Sequence, residues 1–354
     1  MYVYYTAGRM LLRHDNLNDI IVETDKHIDF PIDLVYTWVD GDDPVWREKR
    51  NRYMPVQPAS KRQQQSWTEA RWRDNDELLF SLRSVERYAS WVNHIYIVTD
   101  AQCPAWLNVN HPKITLVDHR DILPAEALPV FSSHAIESCI YKIPGLAEHF
   151  IIGNDDTFFG APTTPEVFYN ADGSPIVRVM GARMKPRKAR SGGNYKRVLL
   201  HMQELVNQRW GKRIPYAPHH NFDAYRKSDF EYCVSLMPEA WERTSFARFR
   251  NNKDMQRCFV SYYLVATGQA ELRKVSRYNR IYNPAALLKA LVSGHYAADS
   301  RWIRLVNPDY QRVMDKYNPL MFCMNDSEYS TDDDRKRMAA FLEGLFPEKS
   351  MFEL

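Results

Sequence analysis

Hydrophobic positions repeat with two different periods in the first half of the chain. Ile32 to Val39, IDLVYTWV, is a β-branched and aromatic run that stops on Asp40, Gly41, Asp42, Asp43 and Pro44, so it predicts a strand with an acidic turn at its C-terminal end. Leu78, Leu79, Leu82, Val85 and Tyr88 recur at threes and fours, which predicts a helix over Asn75 to Tyr88, capped by Asp74 or Asn75. His94 to Thr99 (HIYIVT) and Lys113 to Val117 (KITLV) read as buried strands ending at Asp100 and Asp118. Ser133 to Tyr141 reads as a helix capped by Ser132 or Ser133, and Ile151 and Ile152 form a strand that runs into Asn154, Asp155 and Asp156. This alternation with short connections implies a largely parallel α/β sheet whose right-handed crossovers put all the strand ends on one edge. Ligands bind at that edge, where Asp40, Asp100, Asp118 and Asp156 fall, some of them only as turn caps.

The flanking stretches are plainer. Tyr2 to Tyr5 and Ile20 to Val22 suggest two short strands or an edge hairpin without assignable chemistry. Residues 45–73 are charged and Gln-rich, which predicts a helix start followed by a surface excursion. The second half reads as mainly helical. Tyr195 to Trp210 stops at Gly211, Ser228 to Leu236 before Pro238, and Asp254 to Ala266 before Gly268. Pro284 opens Ala285 to Leu291, and Thr331 begins a last helix through Leu345 with Asp334 placed for a capping box.

With 45% hydrophobic and 13% aromatic residues, 354 residues can bury a full core of about two domains. A net charge of +3 is too mild to argue for a nucleic-acid partner. Five scattered cysteines without a CxxC pair suggest neither a disulfide framework nor structural zinc, so a reducing compartment is expected. The N-terminal stretch lacks a signal-peptide pattern and no apolar run approaches a membrane span, so a cytoplasmic location is expected, with peripheral association at the inner face of the cell membrane.

Two stretches carry candidate chemistry. In HFIIGNDDTFFG, His149 to Gly160, the pair Asp155 and Asp156 is either a solvated turn or a divalent-metal site, because Mg²⁺ or Mn²⁺ takes carboxylate oxygens together with substrate phosphates. Between Arg178 and Arg197 stand eight Arg and Lys with no acid, and Ser191, Gly192 and Gly193 lie among them. That run is either a solvated surface loop or a flexible clamp for an anionic ligand.

Several segments resemble the Stealth proteins. PIDLVYTWVDG at Pro31 to Gly41, NDELLFSLRSVERYASWVNHIYIVTDAQCPAWLN at Asn75 to Asn108, and the stretch from Leu128 to Gly160 are similar to the first two signature regions. His220 with Arg226 and Lys227, then RTSFARFRNNKDMQ at Arg243 to Gln256, resembles the third; FCMNDSE at Phe322 to Glu328 resembles the fourth. The family includes bacterial capsular and exopolysaccharide phosphotransferases and the catalytic subunit of the animal enzyme that makes the lysosomal mannose 6-phosphate signal. It transfers a hexose-1-phosphate, often N-acetylglucosamine-1-phosphate, from a UDP-sugar to a sugar hydroxyl and releases UMP.

The resemblance implies a Rossmann-like, GT-A-type nucleotide-sugar-binding sheet at residues 31–175, after an N-terminal extension at 1–30. Residues 176–354 would complete the active site with the basic segment and a mainly helical cap. Asp156, His220, Arg250 and Asp326 would be catalytic. Asp33, Thr37, Trp38, Asp40, Asp76 and Arg83 would lie in the donor region, with Asn154, Lys227 and Asn325 as further substrate contacts, and Asp155 and Asp156 would hold Mg²⁺ or Mn²⁺. The implied partners are a UDP-sugar and an oligo- or polysaccharide acceptor, free or lipid-linked. Bland alternatives stand beside these roles: a packed histidine for His220, a surface ion pair for Arg250 and a turn for Asp326. Two other functions fit the residues, a glycosyltransferase of the same fold releasing UDP and a non-catalytic polyanion- or carbohydrate-binding protein.

Overall fold

The computed structural model describes residues 28–55 and 67–354, and the backbone of three strands, β1 (Tyr2–Thr6), β2 (Arg9–His14) and β3 (Leu17–Glu23). These three pair as an antiparallel sheet, one strand more than the apolar clusters suggested. Residues 56–66, the middle of the Gln-rich excursion, lie outside the described residues.

The central sheet is built from β4 (Ile32–Thr37), β5 (Ile95–Thr99), β6 (Ile114–Asp118), β7 (His149–Asn154) and β11 (Asp223–Arg226), in the order β11-β7-β4-β5-β6. The first four run parallel and only β11 runs antiparallel, against β7. Both faces are covered, which is why these strands are continuous apolar runs. Leu34, Tyr36, Ile95, Ile97 and Ile151 point to one core, under helix α2 (Glu77–Tyr88). Val35, Val98, Phe150 and Ile152 point to the other, which includes Phe259 and Leu199 from the helices Cys258–Thr267 and Asn194–Trp210. This is the expected Rossmann-like α/β architecture.

Helix α1 (Pro44–Tyr53) is capped by Asp43. The segment after residue 66 folds back over the sheet edge through Trp46, Trp67, Trp72 and Phe131, with the buried Arg50 guanidinium 4.6 Å above the Trp72 ring. Gly41 makes this possible: a Cβ there would lie 2.2 Å from the Trp72 carbonyl oxygen.

The C-terminal part is mainly helical, as expected, and also carries six strands that its periodicity did not reveal. One is β11. β9 (Ile176–Arg183) is flanked by β10 (Tyr216–Pro218) and β12 (Glu271–Val275), and β14 (Met321–Asn325) lies between β13 (Ser300–Arg304) and β8 (Thr157–Phe159). Since β11 joins the central sheet and β14 pairs with β8, the two halves of the chain share sheets across residue 176. The last helix, Asp332–Leu345, begins with the Thr331–Asp334 capping box. Helix Cys258–Thr267 starts four residues later than the pattern suggested, because Asp254 accepts from Asn251 N–H and pairs with His134. Among the described residues, no helix is long and apolar enough to cross a membrane.

Candidate active site

β4 and β7 end together, with Thr37 opposite Asn154, so the chain leaves both strands at one edge. There β7 turns through Asn154, Asp155 and Asp156 into β8. Gly153 precedes the turn because a Cβ would meet the Phe222 ring at 2.5 Å. β14 is fastened to the turn by Met324 N–H, which donates to the Asp156 carbonyl at 3.0 Å. That brings the Cys323 thiol and Asn325 Nδ2 to Asp156 Oδ2, at 3.2 and 3.3 Å. From the loop between β10 and β11 comes His220, whose Nε2 lies 3.8 Å from Asp156 Oδ2 and 3.3 Å from Asn154 Nδ2. Nε2 thus faces both the Asn154 amide and the Asp156 carboxylate, the position of an imidazole that accepts a proton when neutral and donates to Asp156 once it carries one. The adjacent His219 faces away, buried, with Nδ1 3.1 Å from Ser300 Oγ.

The carboxylates of this edge are in contrasting states. Burial would push Asp156 up, but the hydrogen bond and charge of His220, then Cys323 and Asn325, outweigh it and hold its carboxyl below the usual range. Asp155 is pushed well up by burial, then by Asp156, Glu77 and Asp74. Glu77 is pushed up to about 8 and Asp74 to about 6, both chiefly by burial, with a neighbouring carboxylate adding in each case. Four carboxyls thus crowd one corner. Asp156 Oδ1 is buried and has no hydrogen-bond partner. An unpaired buried carboxylate oxygen in a corner where neighbouring carboxyls oppose one another's ionisation suits a hard cation, which takes oxygen ligands. Ligand atoms of Asp156, His220 and Cys323 lie within 4.8 Å of one another, but the Cys323 thiol, pushed well up by burial, donates to Asp156.

Arginines form the facing wall. Arg250 donates to Ser133 Oγ at 2.8 Å, and burial, then the charge of Arg71, pushes its guanidinium down to about 10. Arg71 in turn feels the charges of Asp156 and Glu328. Asp326 is held by Arg73 at 2.8 Å and Arg335 at 3.2 Å. Two arginines that crowd each other beside a carboxylate edge provide charge-assisted donors for an anion placed between them.

The structure therefore brings Asn154, Asp155, Asp156, His220 and Asn325 together, with Arg250 and Asp326 linked to them through Arg71 and Arg73. Thr37, Trp38 and Asp40 lie at the same edge; Asp40 is engaged in the turn, where its Oδ1 accepts from Asp42 N–H. Asp76 is exposed in left-handed conformation at the N-cap of α2, with no side-chain capping bond, so neither Asp74 nor Asn75 is the cap.

Two residues placed in the donor region, Asp33 and Arg83, and one further substrate contact, Lys227, lie elsewhere. Asp33 is at the start of β4, opposite the site edge, where it accepts from Asn93 Nδ2 and Ala147 N–H. Lys227 follows Arg226, which pairs with His149 at the far end of β7. Arg83 is tied to Glu353 and to the Phe346 carbonyl, so it anchors the C-terminal segment. Asp100 pairs with Lys49, and Asp118 caps a short helix, His119–Ile122. The basic run is not a loop either. Arg178 is buried in β9, 3.5 Å from Asp299; residues 186–191 form a short helix, and Lys196 and Arg197 lie on the next one. Arg71, Arg73 and Cys323 were not singled out from sequence; the arginines lie in the stretch read as a surface excursion.

A largely parallel α/β sheet with carboxylates, an imidazole and arginines gathered at its C-terminal edge defines a Rossmann-like protein with a candidate site at that edge. Residues 30–55 match Stealth protein CR1, conserved region 1, and residues 71–177 match Stealth protein CR2, conserved region 2. The capsular polysaccharide phosphotransferase WcwK of Streptococcus pneumoniae is 34% identical over 356 residues, which cover 91% of this chain and 99% of that protein. The exopolysaccharide phosphotransferase SCO6023 of Streptomyces coelicolor is 35% identical over 347 residues, 93% of this chain, and the chain spans only 53% of that longer relative. The chain belongs to the Stealth family. Among solved structures, the galactosyltransferase LgtC in complex with donor and acceptor sugar analogs is a distant likeness, with a TM-score of 0.41 and 11% identity over 90% of this chain and 97% of that one.

Proposed function

We propose that the protein is a sugar-1-phosphate transferase of capsular or exopolysaccharide synthesis. It moves a hexose-1-phosphate, with N-acetylhexosamine-1-phosphate in the same class, from a UDP-sugar to a sugar hydroxyl of an oligo- or polysaccharide, in the cytoplasm, and releases UMP. The observation that carries this reading is the placement of His220 Nε2 3.8 Å from Asp156 Oδ2, while Asp156 Oδ1 stays buried and unpaired. Family membership and the phosphotransferase names of the relatives support it.

In this reading the acceptor oxygen forms a bond to the sugar-bearing phosphorus and the bond from that phosphorus to the UMP oxygen breaks. His220 takes the hydroxyl proton. Asp156 and Asp155 would hold Mg²⁺ or Mn²⁺, which when bound neutralises pyrophosphate charge. Arg71 and Arg250 meet the non-bridging oxygens, so most of the catalysis is positioning and electrostatic stabilisation. Asp326 acts through Arg73 and is a positioning residue. Incubation with a panel of UDP-sugars and an oligosaccharide acceptor, read by the nucleotide released, tests this. UMP with a phosphodiester-linked product is expected; UDP with a glycosidic product overturns it in favour of a glycosyltransferase.

A further inference from the structure

The helix Pro284–Ser293 is packed the opposite way round from a solvated helix. Its one buried residue is Ala290, and Ala286 is half-buried, so its small side chains face the protein. Its large ones face out: Leu288 is 63% exposed, Leu291 57% and Val292 82%, and Tyr282 just before the helix is 61% exposed. Contiguous exposed aliphatic side chains on successive turns mark a surface that something apolar covers.

The charges around the helix say what covers it. Residues 271–309 hold seven Arg and Lys against Glu271, Asp299 and Asp309; Glu271 pairs with Arg273, and Asp299 is buried against Arg178. Lys289 is exposed on the helix itself. Past Gly294 the chain returns to Tyr296, whose ring carries the exposed Arg277 guanidinium at 5.0 Å and whose N–H bonds to the Lys316 carbonyl. A two-fold dimer through this face would set the same basic surface against itself, which like charge opposes. An anionic bilayer complements both features, accepting leucines at the headgroup boundary and attracting the cations around them. Ten residues are too few to cross a bilayer, so the helix lies in its plane.

We propose that helix Pro284–Ser293 is a membrane-docking element for anionic lipid, with Leu288, Leu291 and Val292 inserted and Lys289 and Arg277 facing the lipid phosphates. Docking of this kind needs nothing from Asp156 or His220. It is tested by co-sedimenting the full chain with vesicles of phosphatidylcholine alone or mixed with phosphatidylglycerol. The protein should partition at least about tenfold more strongly onto the anionic vesicles, and less so as salt rises. The triple variant Leu288→Ser, Leu291→Ser, Val292→Ser should lose about tenfold or more of that binding with an unchanged melting temperature, since all three side chains are exposed. Lys289→Glu with Arg277→Glu should lose binding to the anionic vesicles. Absence of binding to either vesicle, or full binding by the triple variant, overturns docking by this helix. A concentration-dependent dimer in light scattering that the triple variant abolishes, without vesicle binding, assigns the face to a second copy instead.

Discussion

Arg73 Nη1 donates to Asp326 Oδ2 at 2.8 Å across 253 residues, joining the segment beside Arg71 to the turn after β14. The same oxygen accepts from Arg335 Nε at 3.2 Å, and Oδ1 accepts from Ser327 N–H at 2.7 Å. Asp326 is therefore engaged on every side, which suits a strut and not a proton acceptor. Burial raises its carboxyl, but Ser330, Arg73, Ser327 and Arg335 hold it below the ordinary range. Asp326→Asn should cost about 2 kcal/mol of stability and, by loosening Arg73 and its neighbour Arg71, lower kcat about 100-fold. A carboxylate with a depressed folded pKa contributes stability above about pH 4 that is lost as pH falls through the folded value. The melting gap between wild type and variant should therefore narrow on acidification below that point. A gap that stays constant would mean the charge is irrelevant there.

His220 and Asp156 should fail differently. His220→Ala removes the proton acceptor and is expected to reduce kcat about 100- to 10,000-fold with little change in donor KM. Asp156→Asn keeps the shape but removes the charge of the carboxylate 3.8 Å from His220 Nε2, and should abolish the dependence on added Mg²⁺ or Mn²⁺ together with the activity. Donor binding measured by calorimetry with and without chelator separates the two. Unchanged turnover of the wild type in excess chelator would remove the cation from Asp156.

Two buried histidines should make the fold acid-sensitive. Burial pushes His119 down to about 4 and His219 to about 3, and each is 5% exposed. Their folded values lie below the unfolded value of about 6.5. The stability they contribute is complete above that pH and is lost as pH falls, because the unfolded chain binds the proton first. Between pH 6 and 4 each should steepen the loss by about 1.4 kcal/mol per pH unit. Urea unfolding at pH 7, 6 and 5 should show the slope, and His119→Gln should flatten it; an unaltered slope would assign the acid sensitivity to other groups.

The framework was legible where burial leaves a pattern. β4, β5 and β7 are continuous apolar runs because both faces are covered, and the Thr331–Asp334 box announces its helix by local hydrogen bonding. The site was legible only in part, because a motif spans a whole strand while chemistry occupies one end of it. Asp33 and Asp40 belong to one motif, yet Asp33 caps contacts at the start of β4 and only Asp40 reaches the edge. Residues brought in from a distance leave no local trace. Cys323 reads as one apolar residue among several in β14 until pairing with β8 sets it against Asp156. Arg178 reads as one more charge in a basic run, although it is buried beside Asp299.

What remains exposed of that basic run has a testable role. Lys185, Arg187, Lys188 and Arg190 lie exposed on or next to the short helix Pro186–Ser191, and Arg190 pairs with Glu204 at 2.8 Å. Gly192 ends that helix and Gly193 precedes the next, so the glycines form a junction between helices. The following residue pair brings the chain to Tyr195, within electrostatic reach of Arg250. A growing phosphodiester polymer is a polyanion, and four exposed cations leading to the arginine wall would guide it by contacts screened beyond roughly 8 Å at physiological salt. Replacing the four with Ser should raise the apparent KM for long acceptors, shorten the products and flatten the salt dependence of elongation, with much less effect on UDP-sugar hydrolysis. Equal loss of hydrolysis and elongation would place these residues at the donor pyrophosphate, and no change in either would make them a solvated surface.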